Sequence, residues 1–383
     1  MAHHNTIFAQ LLKLVPRHEF ETLAKIHHAG RKLRKTSRWS QFVALCLGQL
    51  GSRHSLRDIE SNMNAQSRRL YHLGAKPLAR SSLARLNETQ PADLYEALFA
   101  KLYANCQRLA PGHRFKFKNK LYSLDASLID LSLKIFPWAH YALGKSAMKL
   151  HLSLDHNGHI PNFAAITEGK LSDIEVGRTL QYSKGSIVVF DKGYTDYKWF
   201  KELNNKGIFF VTRIRKNAIW KIEERHTIDK SKGLTSDQTI TLTGVKPKKI
   251  GLPKLRRIGY RDPETGKHYE FLTNNFTLSA QTVTEIYKER WQVELFFKWI
   301  KQNLKIKAFL GNSKNSILTQ IWIALCTYLI LAYLKFTAKL GWSLQNMIRL
   351  LQLNLFMRRD LMALLRGDPP NQDHIKTRQL CLM

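Results

Sequence analysis

Tyr287, Arg290, Glu294 and Lys301 follow one another at intervals of 3, 4 and 7 residues. On a helix that turns roughly 100° per residue, their side chains point within about 60° of one another. A phenol hydroxyl, a guanidinium, a carboxylate and an ammonium then share one stripe, a set that can offer a carboxylate to a metal ion and cations to a polyanion. Two further carboxylates stand out, because Asp125 and Asp191 each come at the end of an apolar run that reads as a strand. Adjacent strands lie about 4.8 Å apart, so carboxylates at two such ends can share cations, and a helix packed on that sheet edge can add Glu294. Mg²⁺ takes carboxylate oxygens together with water and phosphate oxygens. Two such ions about 3.5–4 Å apart activate a water or hydroxyl and stabilise the leaving oxygen of an in-line phosphoryl displacement. No nucleophilic side chain is needed. The plainer alternatives are a turn or cap role for each Asp and a solvated helix face with incidental ion pairs for the stripe.

The elements that must position these groups are legible as pattern. Ile286, Val293, Phe297, Ile300 and Leu304 cluster about a quarter-turn from the polar stripe, giving its helix an apolar side to pack on a core. Residues 120–128 read as a strand with Asp125 near its end. Residues 149–155 and 160–167 read as a hairpin about the turn His156-Asn157-Gly158-His159, and 186–191 as a buried strand that delivers Asp191 at its C-terminal end. A helix over 197–206 and a strand over 208–213 complete an α/β layer of antiparallel strands followed by βαβ crossovers. The alternating, Lys/Arg-rich stretch 214–284 reads as a β-rich insertion before the polar-stripe helix.

Residues 1–112 read as helical. Within them, 55–62 and 80–89 are short helix patterns that fit either a helix-turn-helix reader of DNA or a plain bundle. The 18-residue apolar run 317–334 is long enough to be weighed as a membrane span, but Thr319, Gln320 and Thr327 interrupt it and a buried core helix is expected. A basic helical tail, 341–383, closes the chain. The resulting division is 1–112, 113–340 and 341–383.

Composition narrows the partner. Lys and Arg outnumber Asp and Glu 61 to 29, a formal net charge of +32, which points to a polyanion, most often nucleic acid. The four cysteines form no CxxC or Cys/His zinc pattern and read as reduced thiols of a cytoplasmic protein. The adjacent pairs His3-His4 and His27-His28 lack metal-site spacing. Gly144-Lys145-Ser146 resembles the end of a phosphate-binding loop, but Ala139 stands where the first glycine is required, so no nucleotide cofactor is expected.

The combination of Tyr287-xx-Arg290-xxx-Glu294-xxxxxx-Lys301 with Leu124-Asp125-Ala126-Ser127 and Val189-Phe190-Asp191-Lys192-Gly193-Tyr194 closely resembles the DDE transposases of bacterial insertion sequences, in the branch called IS four. The resemblance runs from about residue 115 to 335. It implies a ribonuclease H-like catalytic core interrupted by a β-rich insertion and preceded by an all-helical N-terminal domain that recognises DNA ends. It further implies that Asp125, Asp191 and Glu294 hold two Mg²⁺ ions, with Mn²⁺ able to substitute, and that Tyr287, Arg290 and Lys301 hold phosphates of the transposon end. Lys298 lies on the same stripe. In the insertion, Arg213, Arg215 and Lys216 suit backbone phosphates, a solvated edge strand being the alternative. Trp220 reads either as a base-stacking residue or as a core residue. The partners implied are double-stranded DNA and a second copy in a homodimer built through 341–383, with no membrane. A metal-dependent nuclease, or a DNA-binding protein without catalysis, remains open on the residues alone.

Overall fold

The computed structural model describes residues 5–369 except 133, 143, 144 and 340. Gly144 of the Gly-Lys-Ser run, His3, His4, Cys381 and the tail from residue 370 lie outside the described residues. By compactness the chain divides into Met1–Ala110 together with Trp299–Met383, and Pro111–Lys298. The second break therefore falls near 298 rather than at 340, inside the helix Trp291–Asn303.

In the first unit the described elements are helices. Lys314–Ala338, the longest, covers the apolar run expected as a core helix, and 89% of its most apolar 18-residue window is buried within the protein. It packs on Asp93–Leu109, Arg38–Leu50 and Arg80–Thr89. Several polar groups enclosed there are paired: Gln41 donates to Asn87 Oδ1 at 2.8 Å, Tyr95 donates to Gln41 Oε1 at 3.0 Å, and Asn315 donates to the carbonyls of Asn87 and Gln90. Cys46, Cys106 and Cys326 are free and buried. The two helices weighed as a DNA reader, Leu56–Ala65 and Arg80–Thr89, touch each other but are separated by a further short helix, Ser67–Leu70, and a turn over Tyr71–Leu73. The three- to four-residue turn of a helix-turn-helix is therefore absent between them.

The second unit is built on one sheet of ten strands. In chain order they are β1 (Leu121–Leu131), β2 (His140–Ala142), β3 (Lys145–Asp155), β4 (Ile160–Glu168), β5 (Ile187–Phe190), β6 (Phe209–Arg213), β7 (Trp220–Arg225), β8 (Leu234–Leu242), β9 (Leu255–Arg261) and β10 (His268–Thr273). Their spatial order is β2-β3-β1-β5-β6-β10-β9-β8-β7, with β4 also on β3. β1 pairs parallel with β5, and β5 with β6, while every other pairing is antiparallel. The Lys/Arg-rich stretch expected as an insertion thus forms strands that prolong the same sheet, because β10 completes the ladder at the free edge of β6.

Each face of the sheet carries its own apolar layer. Leu124, Val188, Phe190 and Phe210 pack with Trp199, Phe200 and Leu203 of the helix Tyr197–Asn205. Leu121, Ile187, Val189 and Val211 pack with Ala280, Val283 and Ile286 of the helix Ala280–Glu289, residues spaced three apart on one side of that helix. The approach to this second helix is fixed by a buried ion pair. Arg256 Nε and Nη2 donate to the two carboxylate oxygens of Asp237 at 2.8 and 2.7 Å, and Arg256 Nη1 donates to the Leu278 carbonyl at 2.6 Å.

This pair anchors the helix start to the sheet, and its removal has a definite sign. Asp237→Ala leaves the Arg256 guanidinium buried and uncompensated, which costs about 3–5 kcal/mol. A lower urea midpoint of the sheet unit is expected for Asp237→Ala. An unchanged midpoint contradicts the anchoring role.

Candidate active site

Register and pleat together decide where the two Asp side chains go. Leu124 pairs with Phe190 in the parallel ladder between β1 and β5, so Asp125 and Asp191 are the next residue on each strand. Side chains alternate between faces, which puts Asp125 on the side of Leu121, and Asp191 on the side of Ile187 and Val189. Both therefore project toward the face covered by Ala280–Glu289. Asp125 lies inside β1 and not near its end as expected, because β3 carries the strand on to a pairing of Leu131 with Ser146 after β5 has stopped. On the β5 side it is still the first residue beyond the shared ladder.

The single long helix expected across the stripe is two helices. Ala280–Glu289 ends at Arg290, and Trp291–Asn303 begins after it. The join is tight and right-handed. Arg290 has φ −51° and ψ −31°, its N–H bonds to the Tyr287 carbonyl at 3.2 Å, and Val293 N–H bonds back to the Arg290 carbonyl at 3.1 Å. Those are three-residue spacings, so the helix is overwound for one turn rather than broken.

Arg290 is the centre of the site. Its Nη1 donates to Asp125 Oδ2 at 3.1 Å and its Nη2 to Glu294 Oε1 at 2.5 Å. Burial opposes the guanidinium charge, but Asp125, Tyr287 and Glu294 outweigh it and hold its pKa above the ordinary value. Its Nε is buried without a hydrogen-bond partner. The Asp125 carboxyl is raised to about 6, chiefly by burial; Arg290 and the Ala126 N–H pull against the rise, while Asp191 and Glu294 add to it. Three carboxylates are thus close enough to act on one another. Asp191 accepts from the Gly193 N–H at 2.6 Å.

Tyr287 lies over Phe271 with ring centroids 4.8 Å apart. Burial raises its phenol pKa, opposed by Arg290 and Arg213, with Asp191 adding to the rise. Arg213, at the end of β6, therefore joins the group, with its guanidinium 5.3 Å from the Tyr269 ring centroid. The other expected residues are less closely drawn in. Arg215 donates to the Thr195 carbonyl at 3.3 Å. Lys216 and Lys298 are exposed, without an ion pair among the described residues. Lys301 is half-buried further along its helix, past the end of the second unit at Lys298. Trp220 packs half-buried against the cluster on the Phe190 face, with the Arg257 guanidinium 4.9 Å from its ring centroid.

Sequence reading overlooked a second set of ligand-bearing residues. Among the described residues, His156, His159 and Glu289 offer ligand atoms that all lie within 4.8 Å of one another. Asp125, Asp191 and Glu294 do not form so tight a group. The hairpin turn was visible in the sequence as His156-Asn-Gly-His159. Its third ligand, 130 positions on, was not.

Comparison with known proteins gives the family. Residues 117–330 match the family described as "Transposase DDE domain", and residues 3–76 match a domain of unknown function (DUF4372). A relative from Sinorhizobium fredii, named as transposase y4zB, is 31% identical over 80% of this chain and 84% of its own length. A transposase named for insertion sequence element IS5377 of Geobacillus stearothermophilus is 24% identical over 66% of this chain and 67% of its own. Another, named for element IS4SA of Synechocystis, is 25% identical over 61% and 65%. Among solved structures, a cryo-EM structure of the piggyBac transposase synaptic complex with hairpin DNA aligns over 96% of this chain and 82% of that one, at 12% identity and a TM-score of 0.41. With the family's domain covering more than half of its residues, the chain belongs to the DDE transposases.

Proposed function

We propose that this chain is the transposase of a bacterial insertion sequence, of the IS four branch, that binds the terminal inverted repeats of its element in the cytoplasm, hydrolyses the phosphodiester at each end and transfers the freed 3′-hydroxyls to target DNA. The observation that carries the reading is the register of β1 on β5, which sets Asp125 beside Asp191 on the face where Arg290 and Glu294 arrive. Within the sheet, the order β4-β3-β1-β5-β6, with β1, β5 and β6 parallel, is read as the ribonuclease H-like core, and β7–β10 as its insertion. The net charge of +32 suits a polyanionic duplex.

The donor set fits divalent cations. Burial, with a smaller push from Asp191 and Glu294, raises the Asp125 carboxyl to about 6, and a cation beside it would favour its ionised form. Mg²⁺ is the natural occupant for all-oxygen ligands, and Asp125, Asp191 and Glu294 are assigned to hold it. When bound, such ions activate the attacking water or 3′-hydroxyl and neutralise charge on the leaving oxygen. Gly193 N–H orients the Asp191 carboxylate. Arg290 steadies Asp125 and Glu294 and offers its unpaired Nε–H to a phosphate oxygen. Tyr287 and Arg213 extend the donor surface beside it, and Lys298 and Lys301 continue it along the helix. Arg215, Lys216 and Trp220 are assigned to DNA outside the reacting phosphate. A homodimer through the helices after residue 341 would bring two ends together.

Asp125→Ala, Asp191→Ala or Glu294→Ala is expected to lower metal-dependent cleavage of an end-containing duplex by about 10³-fold or more, with end binding in gel shift nearly intact. Undiminished cleavage by all three rejects the assignment. Strand joining assayed with a pre-cut end separates a transposase from a simple nuclease.

Proton competition adds a second expectation. Asp125 must lose its proton to accept a cation, and its pKa is raised to about 6. Apparent Mg²⁺ affinity should therefore be level above pH 7 and fall about tenfold per unit below 6. Arg290→Ala removes a group that lowers this pKa, so the fall should begin at higher pH. Calorimetric titration at pH 5, 6 and 7.5 measures both.

Gly193 supplies a third. A Cβ there would stand 2.8 Å from Asp191 Oδ1, so Gly193→Ala must displace the carboxylate. Cleavage reduced by roughly 10²-fold, with unchanged thermal stability, is expected. Full activity would show that the Asp191 orientation is unimportant.

A further inference from the structure

We propose that His156, His159 and Glu289 form a transition-metal site, suited to Zn²⁺, that is separate from the carboxylate centre and clips the β3–β4 turn to the end of the helix leading into Arg290. The three side chains come from the two elements that meet at this point. His156 follows the last residue of β3, His159 precedes the first residue of β4, and Glu289 closes Ala280–Glu289. His156 Nδ1 lies 3.9 Å from Glu289 Oε2. Tetrahedral bonds of about 2.0–2.1 Å place two ligand atoms roughly 3.3 Å apart, so a movement of about half an ångström closes the pair around an ion.

The surroundings are those of a prepared ligand set. The other nitrogen of His156, Nε2, is 2.6 Å from Ser123 Oγ, and the His156 N–H bonds to the Leu121 carbonyl at 3.0 Å. A ligating imidazole whose second nitrogen is held by a hydrogen bond has its ring orientation and tautomer fixed. His156 is buried at 2% exposure, whereas His159 is exposed, which leaves the site open on one side. The His159 backbone is left-handed, with φ 53°, a conformation that His adopts more readily than most residues other than Gly. Glu289 is the last residue before the overwound turn at Arg290. Arg114 offsets part of its charge at Oε1, at 2.6 Å, and leaves Oε2 facing His156.

Two imidazoles and one carboxylate select a borderline cation over Mg²⁺, which prefers oxygen alone. The fourth position falls to solvent. The site holds Glu289 to a turn whose neighbouring strand carries Ser123 and, two residues on, Asp125. An ion there fixes the helix end that presents Arg290. The inference does not depend on the transposase reading.

The test uses the full-length, chelator-treated protein in millimolar Mg²⁺, so that oxygen-only sites are already competed. Calorimetric titration with Zn²⁺ is expected to show one tight equivalent and a raised melting temperature. His159→Asn, which tolerates the left-handed backbone, and Glu289→Gln should each weaken that equivalent by about 100-fold or more, and Ser123→Ala by roughly 10–100-fold. Asp191→Asn should leave it unchanged. Absence of a tight equivalent in the wild type, or wild-type affinity in His159→Asn, overturns the site. Retained Zn²⁺ binding in a chain whose triad variants still cleave DNA would reject only the catalytic assignment.

Discussion

The rest of the second unit depends on one guanidinium. Carboxylates on neighbouring strands, about 5 Å apart, repel by roughly 3 kcal/mol at an effective dielectric near 20, and a third carboxylate on the covering helix adds to the strain. Arg290 answers it from between two of them, at 3.1 Å from Asp125 and 2.5 Å from Glu294. Its charge is in turn kept by the anions it bridges. Burial nonetheless keeps the Asp125 carboxyl raised, at about 6, with Asp191 and Glu294 adding to the rise. Arg290 holds two of the three carboxylates in place, where the proposed cation would meet them.

Arg290 can do this only because the sheet delivers both Asp residues to the same face. The parallel ladder fixes the level, at Leu124 with Phe190, and the pleat fixes the side. The same alternation places Ser123 and Leu121 beneath the helix Ala280–Glu289, so a one-residue slip of β1 would turn Asp125 into the opposite layer among Trp199 and Phe200. The apolar packing on both faces resists that slip. The core and the placing of the two Asp side chains are thus specified by the same strands.

Much of this was legible in the sequence, for reasons that can be named. Ile187–Phe190 is apolar at every position before the Asp191 carboxylate, which is how a strand buried on both faces reads. The Tyr287, Arg290, Glu294 spacing survives because an overwound turn at Arg290 rotates the stripe only slightly. What escaped was long-range. The end of β1 could not be placed at Leu131 without knowing that β3 would extend beyond β5. Nothing local in 214–284 says that its strands join the same sheet through β10 on β6. Lys301 lay on the stripe by arithmetic, yet compactness assigns it to the other unit. His156 and His159 looked like turn residues, since their ligand partner Glu289 is a helix-end residue with no pattern of its own.

The buried pair Arg256–Asp237 shows how the prolonged sheet serves the site. Burying an ion pair is seldom the most stable choice, since apolar side chains of similar volume often do as well or better. Its guanidinium, however, also holds the Leu278 carbonyl, immediately before Ser279 caps the helix at Thr282. An apolar substitute could fill that space but could not bond to the carbonyl. The strands beyond β6 therefore do more than widen the surface. They fix where the helix begins, and ten residues later that determines where Arg290 meets Asp125.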